Sequence, residues 1–295
     1  MEIWIVFSLV AALAQSLRFA VQKVLAAGAL SPAAATWARF LWSWPLAIGL
    51  VACYVRLSGA DWPAITPHFL AFGLAGGVFQ ILATICTVSL FHHRAFAVGI
   101  TFKKTEVMLT ALVGYVILGD VIPAWGAAAI ALGFVGVLLL SEPPSGGGII
   151  NRAAGIGVLS GVLFALSAVT YRGAALALNS GDPILTGGIT LAVVAAWQTL
   201  VLWFWLVLKE PGQVTQTLRA WRPTLTVSLF SLIGSWSWFA AFSLMNAAYV
   251  FAVGQVELVF SLVIGWVWFG ERLTAREGLG IVVLAISILS IAFLV

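Results

Sequence analysis

The sequence predicts an all-α integral membrane protein: ten transmembrane helices, arranged as two inverted five-helix repeats around a central cavity. Three observations predict it. The chain is 62% hydrophobic and only 8% charged, against roughly 25% charged residues in a soluble domain. Its apolar residues fall in runs near the ~20 residues a helix needs to cross a bilayer, not in the short alternating segments of an outer-membrane barrel. A segment of the first half also returns in the second.

Proline, glycine and charge clusters punctuate the runs and give ten helices: Ile3–Ala26, Ala33–Arg56, Pro67–Phe91, Ala95–Leu118, Ala124–Ser141, Ala153–Ala177, Ile184–Leu208, Thr224–Met245, Ala248–Phe269 and Ala275–Val295. The first lacks the basic start of a secretory signal, since Glu2 is its only early charge, and is expected to stay as a span. Connections are short except Leu57–Thr66 and Lys209–Pro223. Cys53 and Cys86 lie inside apolar runs and are expected to be small buried hydrophobes, neither a disulfide nor a metal site.

Near the middle of the chain, Glu142-Pro-Pro-Ser-Gly-Gly-Gly148 ends one helix with prolines and continues as a flexible glycine join. It divides the chain into a first repeat, 1–141, a join, 142–148, and a second repeat, 149–295. Five helices is an odd number, so the second repeat enters the membrane in the opposite sense, and a substrate site is expected near the midplane between the halves.

The duplication is clearest where Lys103–Asp120, KKTEVMLTALVGYVILGD, aligns without gaps to Gly254–Glu271, GQVELVFSLVIGWVWFGE. Glu106/Glu257, Gly114/Gly265, Val116/Val267 and Gly119/Gly270 are identical, and both copies end in an acid. Arg18-Phe19 and Tyr171-Arg172 correspond in rough register near the ends of the first and sixth helices. Phe96–Gly99 resembles Phe251–Gly254, one helical turn out of the glutamate register.

Gly119-Asp120 and Gly270-Glu271-Arg272-Leu273-Thr274 resemble the Leu-Gly-Glu-x-Leu-Thr signature of the drug/metabolite transporter superfamily, in its ten-helix EamA-like branch. Each copy precedes a glycine-bearing helix (Gly126, Gly133, Gly136; Gly278, Gly280). Lys23 and Arg39 also resemble family positions. The first copy departs from the signature, with Asp120 for Glu and Ile122-Pro123 for Leu-Thr. The resemblance implies a basket of helices around a central cavity that moves small metabolites. It also implies both termini in the cytoplasm. The positive-inside rule gives the opposite orientation: odd-numbered connections hold Arg94, Arg152, Lys209, Arg219, Arg222, Arg272 and Arg276, and even-numbered ones essentially Arg56 alone.

Charges inside the spans point to the site, because a central Lys, Arg, Asp or Glu costs at least about 2.5–3.5 kcal/mol on insertion scales. Glu257 lies near mid-bilayer with no cation within four positions. It is a candidate proton-coupling group or a carboxylate locked into helix packing. Glu106 shares a face with Lys103, three positions earlier, so a local ion pair competes with a coupling role. Lys103 and Lys104 point ~100° apart and cannot both pair with Glu106; one is expected to snorkel to the nearer surface and the other to face the cavity. Arg18, Lys23, Arg39 and Arg172 add cations near helix ends. A net positive cavity suits a carboxylate, a phosphate or the acid end of an amino acid, for which arginine is the better bidentate partner.

Candidate substrate-binding residues are Arg18, Arg39, Gln80, Lys103, Lys104, Trp236, Trp238 and Gln255, with Glu106 and Glu257 as coupling residues. Gln15, Thr84, Ser235, Ser237 and Asn246 are further polar candidates, although such groups more often join helices. Trp4, Trp62, Trp125 and Trp221 are read as interfacial anchors. Gly73–Gly77 and Gly157/Gly161 are read as tight crossings. His92 and His93 are read as interfacial.

The function expected is a secondary transporter, an exporter coupled to protons, of a small anionic or zwitterionic metabolite such as an amino acid, in the cell inner membrane. No cofactor or metal is expected. The partners are the substrate, the lipid bilayer and protons, with no nucleic acid; monomer and homodimer both remain open. The alternatives are a lipid flippase or flippase subunit and an exporter of organic cations. No paired catalytic constellation supports an intramembrane enzyme.

Overall fold

A computed structural model describes residues 2–27, 30–90, 103–140, 152–260, 262–263 and 274–294. All its regular elements are helices. The first half holds α1 (Ile3–Ala27), α2 (Pro32–Leu41), α3 (Ser43–Ser58), α4 (Pro67–Leu90), α5 (Glu106–Leu118) and α6 (Ala124–Leu140). The second holds α7 (Arg152–Leu178), α8 (Pro183–Lys209), α9 (Gln213–Arg219), α10 (Trp221–Leu244), α11 (Ala247–Gly254) and α12 (Ala275–Leu294).

Among the described residues, seven helical stretches are long and apolar enough to cross a membrane, counting Pro32–Ser58 as one. Three shorter apolar helices, Glu106–Leu118, Ala124–Leu140 and Ala247–Phe260, fall within the fourth, fifth and ninth expected spans. The Pro/Gly join, His92 and His93, and Gly270–Leu273 of the second signature lie outside the described residues, as does the Lys23 side chain.

Local chemistry accounts for the ends. Ser31 caps α2, its hydroxyl accepting from the Ala34 amide at 3.1 Å, with Pro32 at the first helical position. Asp182 does the same for α8, accepting from the Ile184 and Leu185 amides ahead of Pro183. The second expected span is broken at Trp42, between α2 and α3. Pro45, in the first turn of α3, has no N–H to give back to the previous turn. Ser228 of α10 satisfies the exposed backbone instead: its hydroxyl accepts from the Trp42 amide at 3.2 Å and donates to the Ala38 carbonyl at 2.7 Å. The expected connection Lys209–Pro223 contains α9 and the start of α10.

Leu200, Phe204, Trp205 and Leu208 of α8 are all exposed. So are Leu112, Tyr115 and Val116 of α5 and Val282 and Leu289 of α12. Apolar belts of this kind need lipid rather than water around them. Ser8, Gln22, Arg18, Arg39, Ser228 and Ser231 are buried inside, where they share the bundle with an apolar core that includes Phe40, Val169, Leu202 and Phe239. Cys53, against expectation, is exposed on α3, where a thiol can face lipid; Cys86 is half-buried, and both are free. Trp62, Trp125 and Trp221 are exposed, whereas Trp4 is buried, its indole donating to Glu2 at 2.6 Å.

Hydrogen bonds tie connections together. The segment before α2 meets the one after α8, through Ser31 to Glu210 and the Ser31 amide to Gln213 at 2.9 Å. Tyr54, near the end of α3, donates to Asp182 at 2.6 Å. Arg276, at the start of α12, donates to the Leu138 carbonyl near the end of α6 at 2.8 Å.

Candidate functional site

The duplicated glutamates each follow a two-residue turn. Residues 104–105 form a turn between Lys103 and α5, and residues 255–256 form one between α11 and the helical residues 257–260. The gap-free repeat aligns these two turns with each other. A Cβ on Gly161 of α7 would stand 2.9 Å from the Lys103 carbonyl oxygen and 3.1 Å from the Thr105 hydroxyl. Only glycine lets α7 approach the first break this closely. At the second break, the Trp238 ring occupies the space that a side chain on Gly254 would take.

Lys103 pairs with Glu106 one turn on, at 3.3 Å, and its ammonium stands 4.7 Å from the centre of the Phe164 ring. Lys104 crosses the bundle to form an ion pair with Glu257. Gln15 of α1 donates to the second oxygen of that carboxylate at 2.5 Å, and Ser16 to the Glu257 backbone carbonyl at 3.1 Å. Glu257 is therefore not the unpaired carboxylate that its neighbours in sequence suggest. Its cation comes from 153 residues away, because the fold sets the two breaks against each other.

Two adjoining cavities open here. The first, about 20 Å³, lies among Gln15, Lys103, Glu106, Trp238, Gln255 and Glu257. The second, about 30 Å³, lies among Gln80, Ser167, Tyr171, Ser235, Phe239 and Phe242. Gln15, Phe164, Trp238 and Phe251 wall both. One end is thus charged and the other aromatic with neutral polar groups. In the second, the Gln80 side-chain oxygen accepts from Tyr171 and from Gln198, each at 3.0 Å. The Gln255 amide donates to the Phe251 carbonyl at 3.2 Å, and its oxygen has no partner among the described residues.

The remaining candidates lie off these walls. Arg39 is buried behind Ser235, donating to Ser231 at 2.9 Å, Ser235 at 3.2 Å and Thr84 at 3.3 Å. Arg18 is buried on α1, where it donates to Gln22 at 2.7 Å and lies over the Phe19 ring. Trp236 turns toward α8 and donates to the Ile184 carbonyl at 2.8 Å, while Trp238, two residues on, enters the cavities.

Arg172 of α7 makes a separate cluster. It pairs with Asp120 at 2.9 Å and donates to the Phe242 and Met245 carbonyls at 3.0 and 2.7 Å. The side-chain amide of Asn246 faces the same carboxylate, with its NH2 as the donor. The ends of α5 and α10 are thereby tied to α7. Among the described residues, no group of three His, Cys, Asp or Glu side chains gathers as a metal site.

Phe164, Ser167, Tyr171 and Phe251 were not legible as cavity residues. In sequence they are apolar or small members of apolar runs, and only Tyr171, beside Arg172, carries a polar signal.

Comparison with known proteins now adds a family. A solved protein crystal structure has a similar fold, with a TM-score of 0.74, 16% sequence identity, and coverage of 99% of this chain and 97% of its own. No curated protein matches the sequence. The EamA-like transporter family is matched by residues 152–293, within the second expected repeat. A multi-pass membrane protein, with a small-molecule substrate and the lipid bilayer as its partners, follows from that match and the apolar helices. Over residues 152–293 the chain matches the EamA-like transporter family, part of the drug/metabolite transporter superfamily.

Proposed function

We propose that this protein is a secondary transporter, not an enzyme, that exports a small anionic or zwitterionic metabolite such as an amino acid across the cell inner membrane. In this reading ten spans form two inverted five-helix halves, 1–141 and 149–295, about the join at 142–148. The halves rock around the adjoining cavities, which are open to one side at a time. Glu257, with Glu106 as its counterpart, exchanges protons during the cycle.

The observation that carries the reading is the Lys104–Glu257 pair with Gln15. It joins a break in the first half to a break in the second and borders the cavity. A carboxylate and an ammonium held together in this way can each release the other to the opposite charge of a zwitterion: the lysine to its carboxylate, the glutamate to its ammonium or to a proton. The aromatic walls of Trp238, Phe251 and Phe164 supply apolar contact for a side chain.

A ligand that binds the folded state raises its melting temperature by mass action. Purified protein is therefore screened with anionic, zwitterionic and cationic metabolites, alongside Lys104→Ala and Glu257→Gln. Stabilisation by amino acids or other anions, lost in Lys104→Ala, is the expected result. Stabilisation by organic cations alone, lost in Glu257→Gln, overturns it in favour of a cation exporter. Stabilisation by long-chain lipids alone overturns it in favour of a flippase.

A further inference from the structure

Two of the buried cations near the bundle centre have carboxylate partners, Lys103 with Glu106 and Lys104 with Glu257, and the half-buried Arg172 pairs with Asp120. Arg18 and Arg39, each only 2% exposed, have none among the described residues. A guanidinium carries five N–H donors and stays charged in proteins. Arg39 has three hydroxyl partners, all neutral. Arg18 has the neutral Gln22, and its Nη2 has no partner among the described residues. Burying an uncompensated charge is costly enough that such groups are normally paired, so these two require an explanation.

They stand on adjoining helices, and the charge of Arg39 is felt at Arg18. Gln22 accepts from Arg18 and donates from its own amide to the Ala35 carbonyl at 2.8 Å, which holds Arg18 against α2. Ala35 and Arg39 are four residues apart and share a face of that helix. Phe19, the ring under the Arg18 guanidinium at 4.1 Å, is also 5.8 Å from the Lys103 ammonium at the charged cavity. Ser235, an Arg39 partner, walls the second cavity. The seam between α1 and α2 thus carries two unneutralised positive charges and a vacant donor, close behind both cavities.

We propose that this seam binds a small monovalent anion between Arg18 and Arg39, either a free inorganic ion or the carboxylate of the cargo. The vacant Arg18 Nη2 and the Arg39 donors not engaged by hydroxyls would hold it. The proposal rests on the transport reading and deepens it by adding a second anion-recognising charge, the arginines, behind the paired lysines. It is tested by binding alone, so it stands or falls separately from transport.

The experiment is a melting-temperature titration of the full chain in detergent at constant ionic strength, replacing sodium isethionate, a bulky anion, with sodium chloride or sodium acetate. A saturable rise of about 5 °C is expected for wild type. It should be lost in Arg18→Gln and Arg39→Gln and kept in Lys209→Gln, at the end of α8. A rise with chloride alone identifies an inorganic ion, and a rise with acetate identifies the carboxylate of a cargo. A flat wild-type response to both anions overturns the proposal even if the variants fail to fold. So does a rise that survives in the arginine variants. Anion binding without solute transport would remove the transport reading and leave this site standing.

Discussion

Replacing Lys104 with methionine leaves the Glu257 carboxylate facing Gln15 and the buried Ser16 without its cation. Replacing Glu257 with glutamine leaves the Lys104 ammonium, 2% exposed, without its anion. Breaking a buried pair from one side typically costs about 3–5 kcal/mol, because the surviving charge stays buried. Removing both charges leaves a neutral contact of similar volume and costs little. The double variant should therefore lose only about 1 kcal/mol, with a coupling energy above ~3 kcal/mol in the double-mutant cycle. At roughly 2–4 °C per kcal/mol for a domain of this size class, each single variant should melt on the order of 10 °C below wild type, and the double variant within a few degrees of it. Thermal unfolding of the four proteins in one detergent measures the cycle. Additive losses would show that Lys104 and Glu257 do not act on each other, and the bridge between the two breaks would be lost from the argument.

Other perturbations follow from the same geometry. Gly161→Val puts side-chain atoms where the Lys103 carbonyl lies 2.9 Å from a built Cβ; a loss of roughly 1–3 kcal/mol from overpacking should appear in the same melting assay. Arg172→Gln removes the Asp120 pair and weakens the hold on the α10 carbonyls. A cysteine placed at Ser243 should then react faster with a water-soluble maleimide than it does with Arg172 intact. Trp238→Ala removes a wall shared by both cavities, and the melting shift given by any stabilising metabolite should fall at least tenfold in apparent affinity. Ser228→Ala removes the hydroxyl that accepts from the Trp42 amide and donates to the Ala38 carbonyl, leaving that amide only the Phe40 carbonyl, and should cost about 1–2 kcal/mol, read as a lower melting temperature.

What the sequence could convey was set by the range of each signal. Helix ends such as Asp182-Pro183 and the αL glycines Gly59 and Gly119 are local, so the expected spans and the described helices agree within a few residues at most ends. Lys103 with Glu106 was legible for the same reason, being one helical turn apart. The partner of Glu257 was not, since no pattern in one sequence connects residue 104 to residue 257. The breaks at 104–105 and 255–256 were equally hidden: neither holds proline, and both stretches are compatible with a continuous helix. They exist because tertiary contacts, Gly161 at one and Trp238 at the other, reward the broken backbone. Trp236 and Trp238 show the limit in small compass. Two positions along a helix is about 200° around it, enough to send one indole into the cavities and the other to the Ile184 carbonyl.

The breaks also change what it takes to move a charge. A carboxylate in the middle of an unbroken helix can change partners only if the whole helix slides or turns, against all its packing. Glu106 and Glu257 each sit at the first residue beyond a turn; at the second, the Gln255 and Val256 amides donate three residues back, to Ala252 and Val253, in place of the regular α-helical ladder. A few dihedral changes at residues 104–105 or 255–256 would swing either glutamate while the long helices around it stay in contact. Each is placed as on a pivot, and the two pivots answer to one another through a single lysine.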